Sequence, residues 1–344
     1  MKPIEVQSAG ISDTGKLRAD NQDQFLGAEL TRSLSIQSGS MEFDDGARLV
    51  GGSLGHLFVV ADGMGGHRSG SEASKFVVQY CANSILNSTR GLLQIEPSKE
   101  DSFGEDLKCM LTNAHRAIEE RSKTNNDFEG MGTTLTLAYV AWPRIFIVHA
   151  GDTRCYLLRN GELKLVTRDH TVANEMILRG HLAPEELERS QWSNVLVNAL
   201  GAGAASVFPD LHKFDLQSGD SILLCSDGLN KHVSNFQIHK TLLDAVDPQS
   251  ACEELVRLAN QAGGSDNITV IAARFLAPQA PNNRMQLVLS LPSNQIVLQD
   301  LEISESELDT CDDKPEIGNK SYAETDAKDT IDFPEDGDRP TDSH

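Results

Sequence analysis

Three aspartates in this chain are read as standing directly after apolar strands, each among glycine or small polar residues, and that repeated junction constrains the fold more than any other feature. The sequences are Val59-Val60-Ala61-Asp62-Gly63-Met64-Gly65-Gly66, Leu223-Leu224-Cys225-Ser226-Asp227-Gly228 and Gly263-Gly264-Ser265-Asp266-Asn267. A fourth junction is His149-Ala150-Gly151-Asp152. Taken singly, Asp-Gly is the ordinary chemistry of a hairpin turn. Recurrence at several strand ends instead reads as aspartates leaving the core toward one site. Carboxylates are hard oxygen ligands suited to magnesium or manganese, and neighbouring glycines let backbone carbonyls and a substrate come close. A two-metal site is therefore expected, with Asp62, Asp227 and Asp266 as candidate ligands.

The surrounding pattern mixes two periods. β-rich runs are expected at Phe58 to Ala61, Thr133 to Ala141, Ile145 to Ala150, Cys155 to Arg159, Ser221 to Ser226 and Asn267 to Arg274. Helices are expected over Ser69 to Leu86, Glu105 to Ser122 and Ser250 to Ala262, where apolar residues recur on one side. This combination predicts a two-layer α+β architecture, and the close succession of Ile145 to Ala150 and Cys155 to Arg159 favours antiparallel sheets. The apolar runs fall well short of the roughly 20 residues of a membrane span, so no membrane association is expected. The amino terminus lacks an apolar stretch of the secretory kind, and a cytoplasmic protein is expected. Six scattered cysteines with no CxxC pair argue against a disulfide framework or a zinc site.

Charge divides the chain. The 344 residues hold 51 acidic and 30 basic side chains, a formal net charge of −21, which repels a nucleic-acid backbone and makes nucleic acid an unexpected partner. From Asp300 to His344 there are 16 Asp or Glu against 4 Lys or Arg, a net of −12, so more than half the excess lies there. Residues 1–277 are read as the domain. Residues 278–299 are read as a linker with short strands at Met285 to Leu291 and Gln295 to Leu298, and residues 300–344 as an acidic, disordered tail. The stretch from Thr31 to Gly55 is read as a long inserted loop.

Six motifs stand in order: Arg18-Ala19-Asp20-Asn21-Gln22-Asp23, Asp62-Gly63-Met64-Gly65-Gly66, Gly132-Thr133-Thr134, Gly151-Asp152-Thr153-Arg154, Ser226-Asp227-Gly228 and Ser265-Asp266-Asn267. Together they resemble the PPM phosphatases, type 2C, of the bacterial branch, over about residues 8–275. The resemblance implies an αββα sandwich of two antiparallel sheets between helical layers. It implies a metal-dependent protein serine/threonine phosphatase that acts on phosphoserine and phosphothreonine by direct attack of a metal-bridging water, with two Mn2+ or Mg2+ ions per domain. Carried over by motif, Asp62 bridges the ions, the Gly63 carbonyl binds one, Asp227 and Asp266 bind the other, Asp23 organises their water, and Arg18 grips the phosphate. From its residues alone Arg18 reads rather as a surface ion pair, with Asp20 as a partner, and only its place in the matched motif reverses that.

Departures from the family pattern sharpen the expectations. Gln22 stands where many relatives carry glutamate, and Met64 where eukaryotic relatives carry a histidine, leaving His67 as a nearby loop histidine. Asp152 matches an aspartate associated with a weaker third metal, but Lys231 replaces another carboxylate there, so two ions rather than three are expected. A flap over about residues 170–195 and the strand after it are implied, with Ser193 and Asn198 where relatives often have arginine. The resemblance further implies phosphorylated protein substrates, targets of a serine/threonine kinase, and a monomer. Two alternatives stand beside it: a partner-switching phosphatase for one anti-sigma-antagonist, and a non-catalytic binding protein on the same fold. Cys225 lacks the phosphate-binding loop of a cysteine phosphatase, and His149 reads as a satisfied core histidine.

Overall fold

The computed structural model describes residues 4–35, 48–65, 69–87, 100–124, 128, 130–277 and 295–297. They belong to a unit running from Met1 to Leu298; the acidic segment Gln299–His344 forms a second unit and lies outside the described residues. So do the expected strand at 285–291 and His67.

Two antiparallel sheets form the centre. The first is built from β1 (Glu5–Asp13), β12 (Ile268–Leu276), β11 (Ser221–Cys225), β7 (Arg154–Arg159) and β8 (Glu162–Leu165), in that order. The second runs β10 (Asp210–Asp215), β6 (Arg144–Ala150), β5 (Leu135–Ala141), β3 (Arg48–Met64), β4 (Gly132–Thr133) and β9 (Leu200–Gly201), with β2 (Asp23–Ser35) paired along β3. Side chains alternate across each strand, so both faces of both sheets can be buried. Phe58, Val60, Ala138, Val140, Ile145 and Ile147 meet Leu157, Ile222, Leu224, Ile271, Ala273 and Phe275 between the sheets.

The alternate residues face helices. Leu57, Val59, Leu137, Tyr139 and Val148 pack under α1 (Ser69–Asn87) and α2 (Glu100–Thr124) through Val77, Cys81, Leu107, Leu111 and Ile118. On the opposite side Tyr156, Leu223, Cys225, Val270 and Ala272 pack under α4 (Asp227–Asn230), α5 (Asn235–Asp244) and α6 (Pro248–Gln261) through Leu229, Ile238, Leu255 and Ala259. The result is the expected αββα sandwich. Local chemistry sets the helix starts: Asp247 accepts the Ser250 N–H at 2.7 Å ahead of Pro248, and Ser234 and Gln237 cap one another at the head of α5.

The structure corrects three readings. Thr31 to Gly55 is not simply a loop: its two ends continue β2 and β3 as paired strands, Ser35 opposite Arg48, with residues 36–47 outside the described set. Ser and Gly residues in that stretch concealed a ladder whose partners supply the order. The run Thr133 to Ala141 is interrupted at Thr134, where the chain passes from β4 to β5. Asp266 does not follow a strand but precedes β12, so it enters the core rather than leaving it. Gln295–Val297 forms β13, parallel to Arg48–Val50 of β3.

Candidate metal centre

Antiparallel register brings one end of each strand to a common place. β1 finishes opposite the start of β12, since Asp13 pairs with Ile268; β11 finishes opposite the starts of β12 and β7, Cys225 pairing with Val270 and Arg154. In the second sheet Asp23 at the start of β2 lies directly across from Asp62 near the end of β3. The turn after β6 carries Asp152. Five aspartates from distant parts of the sequence thus share one end of the sandwich, with Arg18 in the β1–β2 turn beside them.

Each is held by specific groups. Asp62 is fixed through its backbone: its carbonyl accepts from the Thr133 hydroxyl and the Thr134 N–H, both at 2.9 Å, and its own N–H donates to Thr134 Oγ1 at 3.2 Å. These contacts give the Gly-Thr-Thr motif its purpose. At Gly63 a side chain would lie 2.2 Å from the Gly70 carbonyl, so only glycine lets β3 approach α1 there. Asp23 is 2% exposed; its Oδ2 accepts from the fully buried Ser226 hydroxyl at 2.7 Å, and Ser226 Oγ in turn accepts the Thr269 N–H at 2.9 Å. Asp227 opens α4 directly after β11.

Asn267 is the organising residue that motif reading did not single out. Its Oδ1 accepts the Gln22 N–H at 2.9 Å, and its amide donates to the Thr14 carbonyl at 2.9 Å and the Asp20 carbonyl at 3.0 Å. One buried side chain therefore fixes the whole turn that carries Arg18. The arginine pairs not with Asp20 but with Asp266, Nε to Oδ1 at 2.8 Å and Nη2 to Oδ2 at 3.1 Å. Lys231 reaches the same carboxylate: its Nζ is 2.9 Å from Asp266 Oδ2 and 2.5 Å from Asp227 Oδ2.

The electrostatics follow from crowding. Burial, reinforced by Asp23 and Asp227, holds the Asp62 carboxyl well above the usual range. Burial pushes Asp23 up to about 6 against the Ser226 hydrogen bond, and Asp152 up to about 8 with Asp227 and Asp169 adding to it. Asp227 is raised chiefly by burial, Lys231 opposing. Only Asp266 is lowered, because Lys231 and Arg18 outweigh its burial.

Among the described residues no three acidic, cysteine or histidine side chains converge on one point; Lys231 and Arg18 bridge the carboxylates instead. The donor set nevertheless fits divalent cations. It is all oxygen, it carries an excess of negative charge, and two buried oxygens, Asp23 Oδ1 and Asp227 Oδ1, have no hydrogen-bond partner. Asp62, Asp227 and Asp266 with the Gly63 carbonyl would hold such ions.

A flap borders this end. Arg154 pairs with Asp169 through Nε at 2.9 Å and Nη2 at 2.6 Å, and Thr171 caps the short helix α3 (Val172–Leu178). His170 ties the flap to the sheet: its Nε2 lies 3.0 Å from Asp210 Oδ2, while its Nδ1 accepts from the Gly151 N–H at 3.2 Å and meets Asn198 Nδ2 at 2.8 Å. Asn198 also bonds both the N–H and carbonyl of Phe208. It is a tether, a role its sequence position did not reveal. The expected strand after the flap is reduced to the two residues of β9. His149 is fully buried between Thr136 Oγ1 at 2.8 Å and the Arg168 carbonyl at 3.0 Å, a core histidine. Burial pushes the Cys225 thiol up to about 12, which removes it as a nucleophile.

Comparison with known proteins agrees with this geometry. A family model described as protein phosphatase 2C matches residues 35–262. The serine/threonine protein phosphatase PstP of Mycobacterium tuberculosis is 34% identical over 277 residues, 78% of this chain but 45% of PstP. This chain thus spans less than half of that relative. The serine/threonine phosphatase stp of Listeria monocytogenes is 31% identical over 260 residues, 76% of this chain and 92% of stp. A crystal structure of M. tuberculosis PstP superposes with a TM-score of 0.64 at 31% identity, covering 80% of this chain and all of that one. A second, of the PstP catalytic domain in complex with two manganese ions, gives 0.61 over the same share. The ordered motifs, the αββα sandwich and these matches together place the chain in the protein phosphatase 2C family, to which it belongs.

Proposed function

We propose that this chain is a metal-dependent protein serine/threonine phosphatase whose site is built from Arg18, Asp23, Asp62, Gly63, Asp227 and Asp266. The observation that carries the reading is the gathering of Asp23, Asp62, Asp227 and Asp266 at one end of the two sheets, with a buried oxygen of Asp23 and one of Asp227 lacking any partner. Two Mn2+ or Mg2+ ions, when bound there, supply the Lewis acidity that makes water nucleophilic at neutral pH and the charge that stabilises phosphoryl oxygens. Everything else is the work of the chain. Asp62, crowded by Asp23 and Asp227, binds cations as the route by which its carboxylate ionises. Asp23, fixed by Ser226, orients water at the end of the sheets where the carboxylates gather. Arg18, with a side chain 55% exposed, spends two of its five N–H donors on Asp266 and offers the others to a substrate phosphate.

Direct hydrolysis is favoured over a covalent phosphoenzyme because neither neighbouring nucleophile is available. Ser226 is fully buried with its hydroxyl committed to Asp23, and Cys225 is buried with its thiol held protonated. The substrates are phosphorylated proteins, and we infer that they are products of a serine/threonine kinase met in the cytoplasm by a monomeric enzyme. Among the described residues no helix is long and apolar enough to cross a membrane. The non-catalytic reading is disfavoured by the retained acidic set, and nothing in the flap singles out one anti-sigma-antagonist as the substrate.

The test is hydrolysis of a phosphothreonine peptide after chelation and return of manganese, by the wild type and by Asp227→Asn. Activity restored by manganese in the wild type and lost in the variant supports the reading. A wild type that binds metal yet cleaves neither that peptide nor a small phosphate ester overturns it.

A further inference from the structure

Lys231 sits at the C-cap of α4, four residues after Asp227, so helical geometry places its side chain on the same face as that carboxylate. It makes two ion pairs at once, to Oδ2 of Asp227 at 2.5 Å and to Oδ2 of Asp266 at 2.9 Å, and its side chain is only 26% exposed. Asp152, itself 8% exposed, also feels this ammonium, which opposes the upward push of burial and Asp227 on its carboxyl. The contact is one-sided. Lys231 takes Oδ2 of Asp227 and leaves Oδ1 buried without a partner, so the same carboxylate can serve an ion on its inner side while the lysine stays in place.

Charge balance gives the arrangement its meaning. With all five ionised, Asp23, Asp62, Asp152, Asp227 and Asp266 exceed the two side-chain cations, Arg18 and Lys231, by three charges, which two divalent ions overcompensate. A further ion beside Asp227 would meet an ammonium that cannot leave without stranding two carboxylates. Lysine is a compact point charge, well suited to stand where a small cation would.

We propose that Lys231 is a fixed internal cation of the cleft, cross-linking Asp227 to Asp266 and substituting for additional metal between them, so that the site takes two divalent ions and excludes a third. This rests on the metal-dependent reading above and adds the contacts that hold the ammonium in place. Removing the ammonium should do two things. It should tighten manganese at Asp227 and Asp266 by roughly tenfold, the effect of one unit charge on a divalent ion a few ångströms away even with water-like screening. It should also make the chelated protein less stable than the wild type, because Asp227 and Asp266 lose their shared partner.

The experiment is manganese titration of the chelated full-length chain, with bound ions counted by electron paramagnetic resonance and affinities taken from calorimetry, for wild type, Lys231→Met, Lys231→Asp and Lys231→Arg. The expected result is two tight ions in wild type and Lys231→Arg, about tenfold tighter binding in Lys231→Met, and a third tight ion in Lys231→Asp. If Lys231→Asp does not fold, Lys231→Met decides alone, with melting in chelator as its second readout. Three tight ions in wild type, or unchanged or weaker binding in Lys231→Met, overturns the proposal while leaving the phosphatase reading intact. A wild type with no tight manganese removes both.

Discussion

Replacing Gly228 with alanine tests how two neighbouring strands of the first sheet hold Asp227 and Asp266. Gly228 follows Asp227 in α4, and a Cβ there would lie 1.9 Å from the Asn267 carbonyl oxygen and 3.4 Å from the Asp266 Cβ. A carbon–oxygen contact relaxes at about 3.3 Å, so roughly 1.4 Å must open between the start of α4 and the loop before β12. Backbone stands on both sides, and no flexible side chain can yield. The movement separates Asp227 from Asp266, the two carboxylates that Lys231 bridges. Overpacking of this kind costs about 1–3 kcal/mol, which for a domain of this size lowers the melting temperature by roughly 2–5 °C. A misplacement near 1 Å costs about 100-fold in rate. Activity should therefore fall much further than stability. The assay pairs manganese-dependent phosphopeptide hydrolysis with thermal melting, and Gly161→Ala serves as the control. At Gly161 the φ of 78° is unfavourable to alanine but nothing lies within 4 Å, so about 1 kcal/mol of stability should be lost with activity kept. A folded Gly228→Ala protein with kcat/KM within threefold of wild type would refute the reasoning.

Other perturbations follow from the same contacts. His149 is fully buried and held down to about 3, mainly by burial and then by His170, so the unfolded chain binds the proton that the native state refuses. Stability is complete above the ordinary histidine value of about 6.5 and declines as pH falls, at up to about 1.4 kcal/mol per unit, roughly 2 kcal/mol by pH 5; His149→Gln should flatten that slope in urea denaturation, and an unchanged slope would contradict the assignment. Arg154→Met strands the largely buried Asp169 and should cost about 3 kcal/mol in urea denaturation, with Arg154→Lys failing to restore a bidentate pair. Asn267→Asp sets a carboxylate oxygen against the Thr14 and Asp20 carbonyls, so kcat/KM should fall about 100-fold as Arg18 loses its position; a loss under threefold would show that the turn is held by other groups.

Much of the architecture was legible because periodicity survives in the sequence. The α1, α2 and α6 stripes and the apolar runs at β6, β7, β11 and β12 were readable because each element buries a face against a neighbouring layer. β1, β8 and β10 escaped, and all three lie at sheet edges, where half-exposed faces carry polar residues and blur the alternation. All of β2 and the first half of β3 escaped for a related reason: their order comes from pairing with each other, not from an apolar code.

The sequence by itself marked the candidate carboxylates. Asp62 and Asp227 stand beside glycines at the ends of apolar runs and Asp266 just before one, and their recurrence singled them out where any one alone would read as a turn. Only the tertiary structure decided which charges meet. Asp23 faces Asp62 through strand register, Arg18 finds Asp266 from the opposite end of the domain, and Lys231 joins Asp227 to Asp266. Apart from Lys231 and Asp227, one helical turn apart, local sequence cannot specify such contacts, because each depends on a few ångströms of distance between groups that the chain separates by 35 to 248 residues, and only the packed fold fixes that distance.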